Sequence, residues 1–142
     1  MAGRVLLVEH DDSMRVSIVR AMRARGIGVD AFTSAAEALT AVKAGGTWTR
    51  ALIDLNLPEL DGASLAEELL AWLPALEVSF AAGGVDAAVL CRAHGLGTVL
   101  WKPLGLGPLC ERFGQGERHQ SGTQLRRVSS VEMPAVKMVK SR

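Results

Sequence analysis

Long apolar runs and paired cysteines are both scarce in this sequence of 142 residues. No run approaches the ~20 apolar residues of a membrane-spanning helix, and the apolar stretch after Met1 is too short for a signal-peptide core. The two cysteines, Cys91 and Cys110, have no CxxC spacing and no histidines at ligand spacing, so we expect reduced, packed thiols without redox or metal chemistry. We therefore expect a soluble, cytoplasmic protein with no membrane partner.

Charge is distributed unevenly, although the formal net charge is only +1. Residues 1–113 hold ten Lys and Arg against thirteen Asp and Glu, whereas residues 114–142 hold six against two. The basic stretch has no aromatic residues to stack on bases and no helix-turn-helix pattern, so a nucleic-acid partner is not expected. We predict one folded domain over residues 1–115 and a basic, disordered tail over residues 116–142.

Short apolar segments alternate with segments of helical periodicity throughout the predicted domain. The predicted strands are Val5–Val8, Val29–Phe32, Ala51–Ile53, Leu76–Phe80 and Thr98–Trp101. The predicted helices pass through Met14, Ile18 and Met22 to Gly26, from the Ser34–Glu37 capping box to Gly45, through Leu65, Leu69 and Leu73 to Pro74, over Asp86–His94 to Gly95, and over Pro108–Phe113. Because right-handed crossovers place helices over both faces, this order predicts a doubly wound α/β fold with a five-stranded parallel sheet.

Ionisable side chains stand at three of the predicted strand ends. They are Glu9, Asp54 and Lys102. Ligands of open parallel sheets bind beyond the carboxyl ends of the strands, where the strand order reverses. The sequence therefore predicts two carboxylates and one ammonium at a single edge.

Three motifs together resemble the receiver domain of response regulators in two-component signalling. They are Val8-Glu9-His10-Asp11 with Ser13-Met14-Arg15, Asp54-Leu55-Asn56-Leu57-Pro58 with Asp61-Gly62, and Lys102-Pro103. The resemblance spans about residues 4–113 and implies a flavodoxin-like (βα)5 fold with strand order 2-1-3-4-5. It implies a phosphorelay protein that acts through protein-protein contacts, with a sensor histidine kinase and a downstream signalling protein as partners, and it leaves a homodimer open.

The resemblance also gives each residue of the predicted site a role. Asp54 would be the phosphoacceptor, and Lys102 would pair with the phosphoryl oxygens. Glu9, His10, Asp54 and the backbone carbonyl of Asn56 would hold Mg²⁺, which offsets the repulsion between the carboxylate and the phosphoryl group. Beyond phosphoryl transfer to itself, no enzymatic activity is expected.

Three positions depart from the family pattern. His10 replaces an acidic ligand, and because imidazole binds Mg²⁺ poorly, we expect weak or impaired binding of that ion. Phe80 stands where the family has Ser or Thr, and Val99 stands where it has an aromatic residue. Ser79 is adjacent to Phe80, but strand alternation sends its side chain to the opposite face. Both switch positions, Phe80 and Val99, thus lack their usual side chains, and we expect a degenerate output face.

Two other functions stay open at this point. A pseudo-receiver would keep the fold and the partner surface without depending on phosphorylation, and Mg²⁺ titration would test for it. A phosphatase with Asp54 as nucleophile is less favoured, because Asn56 stands where a second acid would protonate a leaving group. Moving the register so that Asp11 replaces His10 as a metal ligand would turn the strand side chains to the wrong face.

Removing residues 117–142 should leave the thermal unfolding midpoint nearly unchanged. This segment is rich in Ser and charged residues, and its apolar residues follow no period, so it offers little to pack against the domain. Calorimetry of the full chain and of a chain ending at Gly116 measures both midpoints. A clear drop in the shorter chain would mean that the tail packs on the domain.

Overall fold

The computed structural model describes residues 3–114, so the predicted tail lies outside the described residues. Strands and helices alternate as β1 Val5–Val8, α1 Asp12–Ala24, β2 Val29–Phe32, α2 Ala35–Lys43, β3 Arg50–Asp54, α3 Gly62–Trp72, β4 Glu77–Ala82, α4 Ala87–Leu96, β5 Thr98–Trp101 and α5 Leu106–Gly114. The five strands are parallel in the order β2-β1-β3-β4-β5. The predicted doubly wound fold and strand order are confirmed. No helix within residues 3–114 is long and apolar enough to cross a membrane.

The sheet separates two apolar clusters, one on each face. One cluster joins Leu6, Val8, Ile53 and Phe80 to buried residues of α2, α3 and α4. The other joins Val5, Leu7, Leu52 and Ala81 to buried residues of α1 and α5. Neighbouring residues of one strand therefore enter different clusters, as the two-residue period of a strand requires. β1 and β3 are buried along their whole length, which explains why Val5–Val8 and Ala51–Ile53 are apolar without alternation.

Side-chain caps fix the starts of four helices. The capping oxygens belong to Asp11, Ser34, Asp61 and Asp86, and each accepts a backbone N–H of the first turn. Ser34 accepts from Glu37 N at 3.2 Å, as the predicted capping box requires. Glu37 departs from that motif, because its Oε1 accepts from the N–H of Thr33 at 2.9 Å. The start of α2 was predicted correctly. The Glu37 side chain, however, accepts from the N–H of Thr33 and not from that of the N-cap Ser34.

Several elements extend beyond their predicted bounds. β4 continues to Ala82, where it still pairs with β5. α4 continues through Gly95, and α5 begins at Leu106, so Pro108 lies in its first turn. A proline costs little there, because the first-turn N–H groups have no partner within the helix. The helix predicted to begin at Pro108 therefore begins two residues earlier.

Arg50 holds the last helix against the start of β3. Its guanidinium donates to the carbonyls of Phe113 at 2.8 Å and Arg112 at 3.1 Å. The guanidinium carbon also lies 4.8 Å from the centre of the Phe113 ring. The last carbonyls of a helix lack partners within it, so this cation satisfies them and opposes the negative end of the helix dipole. α5 thus ends at the sheet edge opposite the carboxyl ends of the strands.

Gly62 lies directly against the end of β3. A Cβ at this position would stand 2.5 Å from the Asp54 carbonyl oxygen and 2.9 Å from Leu55 Cα. Backbone atoms of a central strand cannot swing aside as a flexible side chain can. The start of α3 therefore needs a glycine to pack against the strand that carries Asp54.

Gly62→Ala should lower the free energy of unfolding by about 1–3 kcal/mol, because the added methyl overlaps backbone atoms. Gly95→Ala is the matched control, since a Cβ there meets nothing within 4 Å. In the interior of α4, that control should gain about 0.5–1 kcal/mol from the better helix propensity of alanine. Urea unfolding of both variants measures the two changes, and equal changes would contradict the close approach.

Candidate functional site

Glu9 is a buried acid immediately beyond β1. Its N–H donates to the Phe32 carbonyl at 3.1 Å, which extends the ladder between β1 and β2. Only 1% of the residue is exposed, and its Oε2 accepts from Asp11 N at 3.1 Å. Burial raises the pKa of Glu9, and the negative charge of Asp54 raises it further, against the opposing effect of the Asp11 N–H.

Asp54 is the last residue of β3 and is also only 1% exposed. Its Oδ1 accepts from Asn56 N at 2.9 Å. Burial acts to raise the pKa of Asp54, but the hydrogen bond from the Asn56 N–H, the interaction with the Glu9 side chain, the positive charge of Lys102 and the hydrogen bond with His10 together lower it below its ordinary value. Of the two acids, Asp54 is therefore held ionised, and Glu9 binds a proton more readily.

His10 and Lys102 face the two acids from different sides. His10 Nδ1 lies 2.8 Å from Asp54 Oδ2 and 3.7 Å from Glu9 Oε2. Lys102 Nζ lies 3.3 Å from Asp54 Oδ1 and 3.8 Å from Glu9 Oε1. Each acid thus presents one oxygen to the imidazole and the other to the ammonium. The strand ends bring together all four of these predicted site residues.

The loop after β5 positions Lys102. Its N–H donates to the Ala82 carbonyl at 2.8 Å, which continues the β4–β5 ladder past the strand end. The following peptide bond, Lys102-Pro103, is cis. The ammonium therefore starts from a backbone that is hydrogen-bonded to the neighbouring strand.

The two acids that follow His10 serve the start of α1. Asp11 Oδ2 accepts from Met14 N at 2.7 Å as the N-cap, and Asp12 pairs with Arg15. Arg15 also donates to the Glu9 carbonyl at 2.9 Å. Of the three residues that follow Glu9, His10 is therefore the one whose side chain contacts Glu9 and Asp54, as the predicted register required.

Asn56 connects two loops at the site. Its N–H contacts Asp54, and its side-chain Nδ2 donates to the Gly84 carbonyl at 3.2 Å, which ties the β3–α3 loop to the β4–α4 loop. No sequence pattern indicated this second contact, because its partners are 28 residues apart. The proposed role of the Asn56 carbonyl as a metal ligand stays a prediction.

The two switch positions face the apolar cluster under α3 and α4. Phe80 is fully buried and pairs with Val99 in the β4–β5 ladder. Ser79 points to the other face, where its Oγ accepts from Arg112 Nε at 3.4 Å. The predicted orientation of Ser79 is confirmed, and β4 presents no hydroxyl group towards Asp54.

Glu9, His10 and Asp54 form a potential metal-binding group. One ligand atom from each lies within 4.8 Å of the other two. Two of these donors are carboxylate oxygens, which suit Mg²⁺, but the third is an imidazole nitrogen, which suits softer ions. The side chains present therefore fit Mg²⁺ poorly.

Comparison with known proteins identifies similar sequences and folds. A family model described as "Response regulator receiver domain" matches residues 5–113. The chain is 36% identical over 88 residues to "Sensor kinase CckA" of Brucella abortus, covering 61% of this chain and 9% of that protein. It is 30% identical over 113 residues to "Transcriptional regulatory protein TcrA" of Mycobacterium tuberculosis, covering 78% of this chain and 44% of the relative. The chain thus spans less than half the length of either relative.

A solved structure shares the fold at lower sequence identity. The CheY-like receiver domain protein from Methanospirillum hungatei superposes with a TM-score of 0.76 at 21% identity. The match covers 86% of this chain and all of that one. This likeness extends over the whole arrangement of five strands and five helices described above.

Glu9→Gln should make the metal-free protein more stable at pH 8 than the wild type. Because the native pKa of Glu9 is raised, its contribution to stability is complete below the unfolded pKa and is lost as pH rises through the native pKa. The neutral amide avoids that loss, so the difference in free energy of unfolding should shrink as pH falls towards 4.5. Urea unfolding in EDTA across this range measures it.

Glu68→Gln, on the exposed side of α3, is the charge-matched control for this experiment. It removes one carboxylate without touching the pair of buried acids. The raised pKa of Glu9 would be contradicted if Glu9→Gln changed the free energy of unfolding equally at pH 8 and pH 5. It would also be contradicted if only the control variant showed a pH-dependent change.

Proposed function

The chain belongs to the family of response regulator receiver domains of two-component systems, and from this premise we propose that Asp54 accepts a phosphoryl group from the histidine of a sensor kinase. The observation that carries the proposal is the Asp54 carboxylate, buried at the end of β3 with Lys102 Nζ 3.3 Å from its Oδ1. Regions of a sensor kinase and of a transcriptional regulator match the chain, which supports a histidine kinase and a downstream signalling protein as partners.

The chemistry proposed for Asp54 is a single displacement. A carboxylate oxygen forms a bond to phosphorus while the bond from phosphorus to the donor's imidazole nitrogen breaks, and the electron pair returns to that nitrogen. The lowered pKa of Asp54 keeps the attacking group ionised. Lys102 is placed to pair with the phosphoryl oxygens, which lowers the repulsion between two anions. The protein would then act through contacts with other proteins and catalyse no other reaction.

Mg²⁺ enters this proposal only as a weakly bound ion. His10 supplies a nitrogen where an oxygen ligand would suit Mg²⁺, so the affinity for Mg²⁺ is expected to be impaired. No step of the proposed transfer is assigned to the metal. Within residues 3–114, Lys102 is the side chain with a permanent positive charge that contacts Asp54.

A pseudo-receiver that signals without phosphorylation is the second candidate, and two observations favour it. The imidazole of His10 is hydrogen-bonded to the attacking carboxylate at 2.8 Å. The buried Phe80 offers no hydroxyl to a phosphoryl group at the position where the family has one. Such a protein would use the receiver fold as an interaction module.

Incubation with a small acyl-phosphate donor and a divalent metal should add the mass of one phosphoryl group to the wild type and none to Asp54→Asn. Intact mass spectrometry measures the gain. Asp86→Asn is the matched control, because Asp86 is the N-cap of α4 and asparagine caps a helix equally well. This control should gain the same mass as the wild type.

Two results would contradict the phosphoacceptor assignment. A mass gain that persists in Asp54→Asn would put the phosphoryl group on another residue. A natively folded wild type that gains no mass with either Mg²⁺ or Mn²⁺, while His10→Asp does, would favour the pseudo-receiver.

A further inference from the structure

The oxygens of Glu9 and Asp54 are divided between two cation positions. Asp54 Oδ1 and Glu9 Oε1 face Lys102, at 3.3 and 3.8 Å from its Nζ. Asp54 Oδ2 and Glu9 Oε2 face His10, at 2.8 and 3.7 Å from its Nδ1. An ion bound on the histidine side can therefore use one oxygen of each acid and leave the ammonium in its place.

The spacing on the histidine side matches the edges of a small coordination polyhedron. Ligand atoms about 2.0–2.2 Å from a tetrahedral zinc ion lie about 3.2–3.6 Å from one another. The two distances from Nδ1, 2.8 and 3.7 Å, lie on either side of that range. Both edges from Nδ1 are thus within about half an ångström of that range, and one ligand atom from each of the three residues lies within 4.8 Å of the other two.

The chemistry of these donors selects a class of metal. Two carboxylates and one imidazole are a frequent ligand set for first-row transition ions, and the imidazole favours them over Mg²⁺. We infer that Glu9, His10 and Asp54 bind a divalent transition-metal ion of the zinc and cobalt type through Oε2, Nδ1 and Oδ2. This inference concerns the same side chains as the proposed function. It rests on the proposed function only in treating Glu9, His10 and Asp54 as one set of ligands.

Binding replaces the hydrogen bond between His10 and Asp54. In the metal-free state, Nδ1 is 2.8 Å from Oδ2, within hydrogen-bond distance. The ion would take the place of this contact, and its positive charge would offset the repulsion between the two neighbouring carboxylates. Three protein ligands leave a fourth position open to water or to an anionic group.

Within residues 3–114, no second group of three such donors meets the same distance criterion. Other soft donors do occur on the exposed side of α4, namely Cys91 and His94. A third histidine, His119, lies beyond the described residues. These donors must be removed before metal binding is assigned, so the test uses a background of Cys91→Ser, His94→Gln and His119→Gln.

Cobalt is the probe of choice because its visible absorption reports nitrogen coordination directly. The full-length background protein should bind one equivalent of Co²⁺ with visible bands that Zn²⁺ abolishes by displacement. Adding His10→Asp should weaken Co²⁺ binding about tenfold and tighten Mg²⁺ binding about tenfold, so the ratio of the two dissociation constants changes about a hundredfold. His10→Gln should weaken Co²⁺ binding without the gain for Mg²⁺. Unfolding midpoints verify that each variant is folded.

The outcomes separate this inference from the phosphorylation proposal, because no phosphodonor is present. Equal Co²⁺ affinities and spectra with and without His10 would overturn the inference. Loss of the bands in the background protein would also overturn it, because the bands would then come from Cys91, His94 or His119. Failure of Asp54 to take a phosphoryl group would contradict the proposed function alone. A hundredfold change in the ratio of the Co²⁺ and Mg²⁺ dissociation constants on His10→Asp would support the inference whether or not Asp54 is phosphorylated.

Discussion

Two buried carboxylates on adjacent strands are the constraint on which the rest of this site depends. Two like charges that are out of contact with water raise each other's free energy, so a fold that places Glu9 and Asp54 side by side must supply partners. The N–H groups of Asp11 and Asn56, the imidazole of His10 and the ammonium of Lys102 are those partners. They come from three different loops. The same electrostatic requirement therefore holds the β1–α1, β3–α3 and β5–α5 loops at one edge.

The strands could be predicted from the sequence because burial on both faces leaves a plain apolar signature, as in Val5–Val8. Helix starts were equally accessible, since Asp61 and Asp86 stand where a capping oxygen is needed. The end of α4 could not be predicted in this way, because nothing in the sequence distinguishes Gly95 from Gly97. A Cβ on Gly97 would lie 2.1 Å from the Val78 carbonyl, whereas one on Gly95 meets nothing. Only the tertiary neighbour distinguishes the glycine at the helix end from the one inside the helix.

The membership of the site followed from a general property of parallel sheets, whose carboxyl ends meet at one edge. Its internal geometry did not follow. The division of four carboxylate oxygens between His10 and Lys102 depends on distances between β1, β3 and β5, which no local pattern encodes. The resemblance to receiver domains supplied roles for the residues that match the family. It had least to offer at His10 and Phe80, the positions predicted to depart from the family pattern.

The Arg50 anchor determines where the last described helix, α5, ends. Arg50, where the anchor lies, and the acid Asp54 are the first and last of the five residues of β3. At a rise of about 3.3 Å per residue, the end of α5 lies about 13 Å across the sheet from the site. Anything joined after Gly114, such as a fluorophore or a surface tether, starts on the far side from the acids. Attachment to a surface through the end of α5 would therefore leave the edge with Glu9 and Asp54 turned away from that surface.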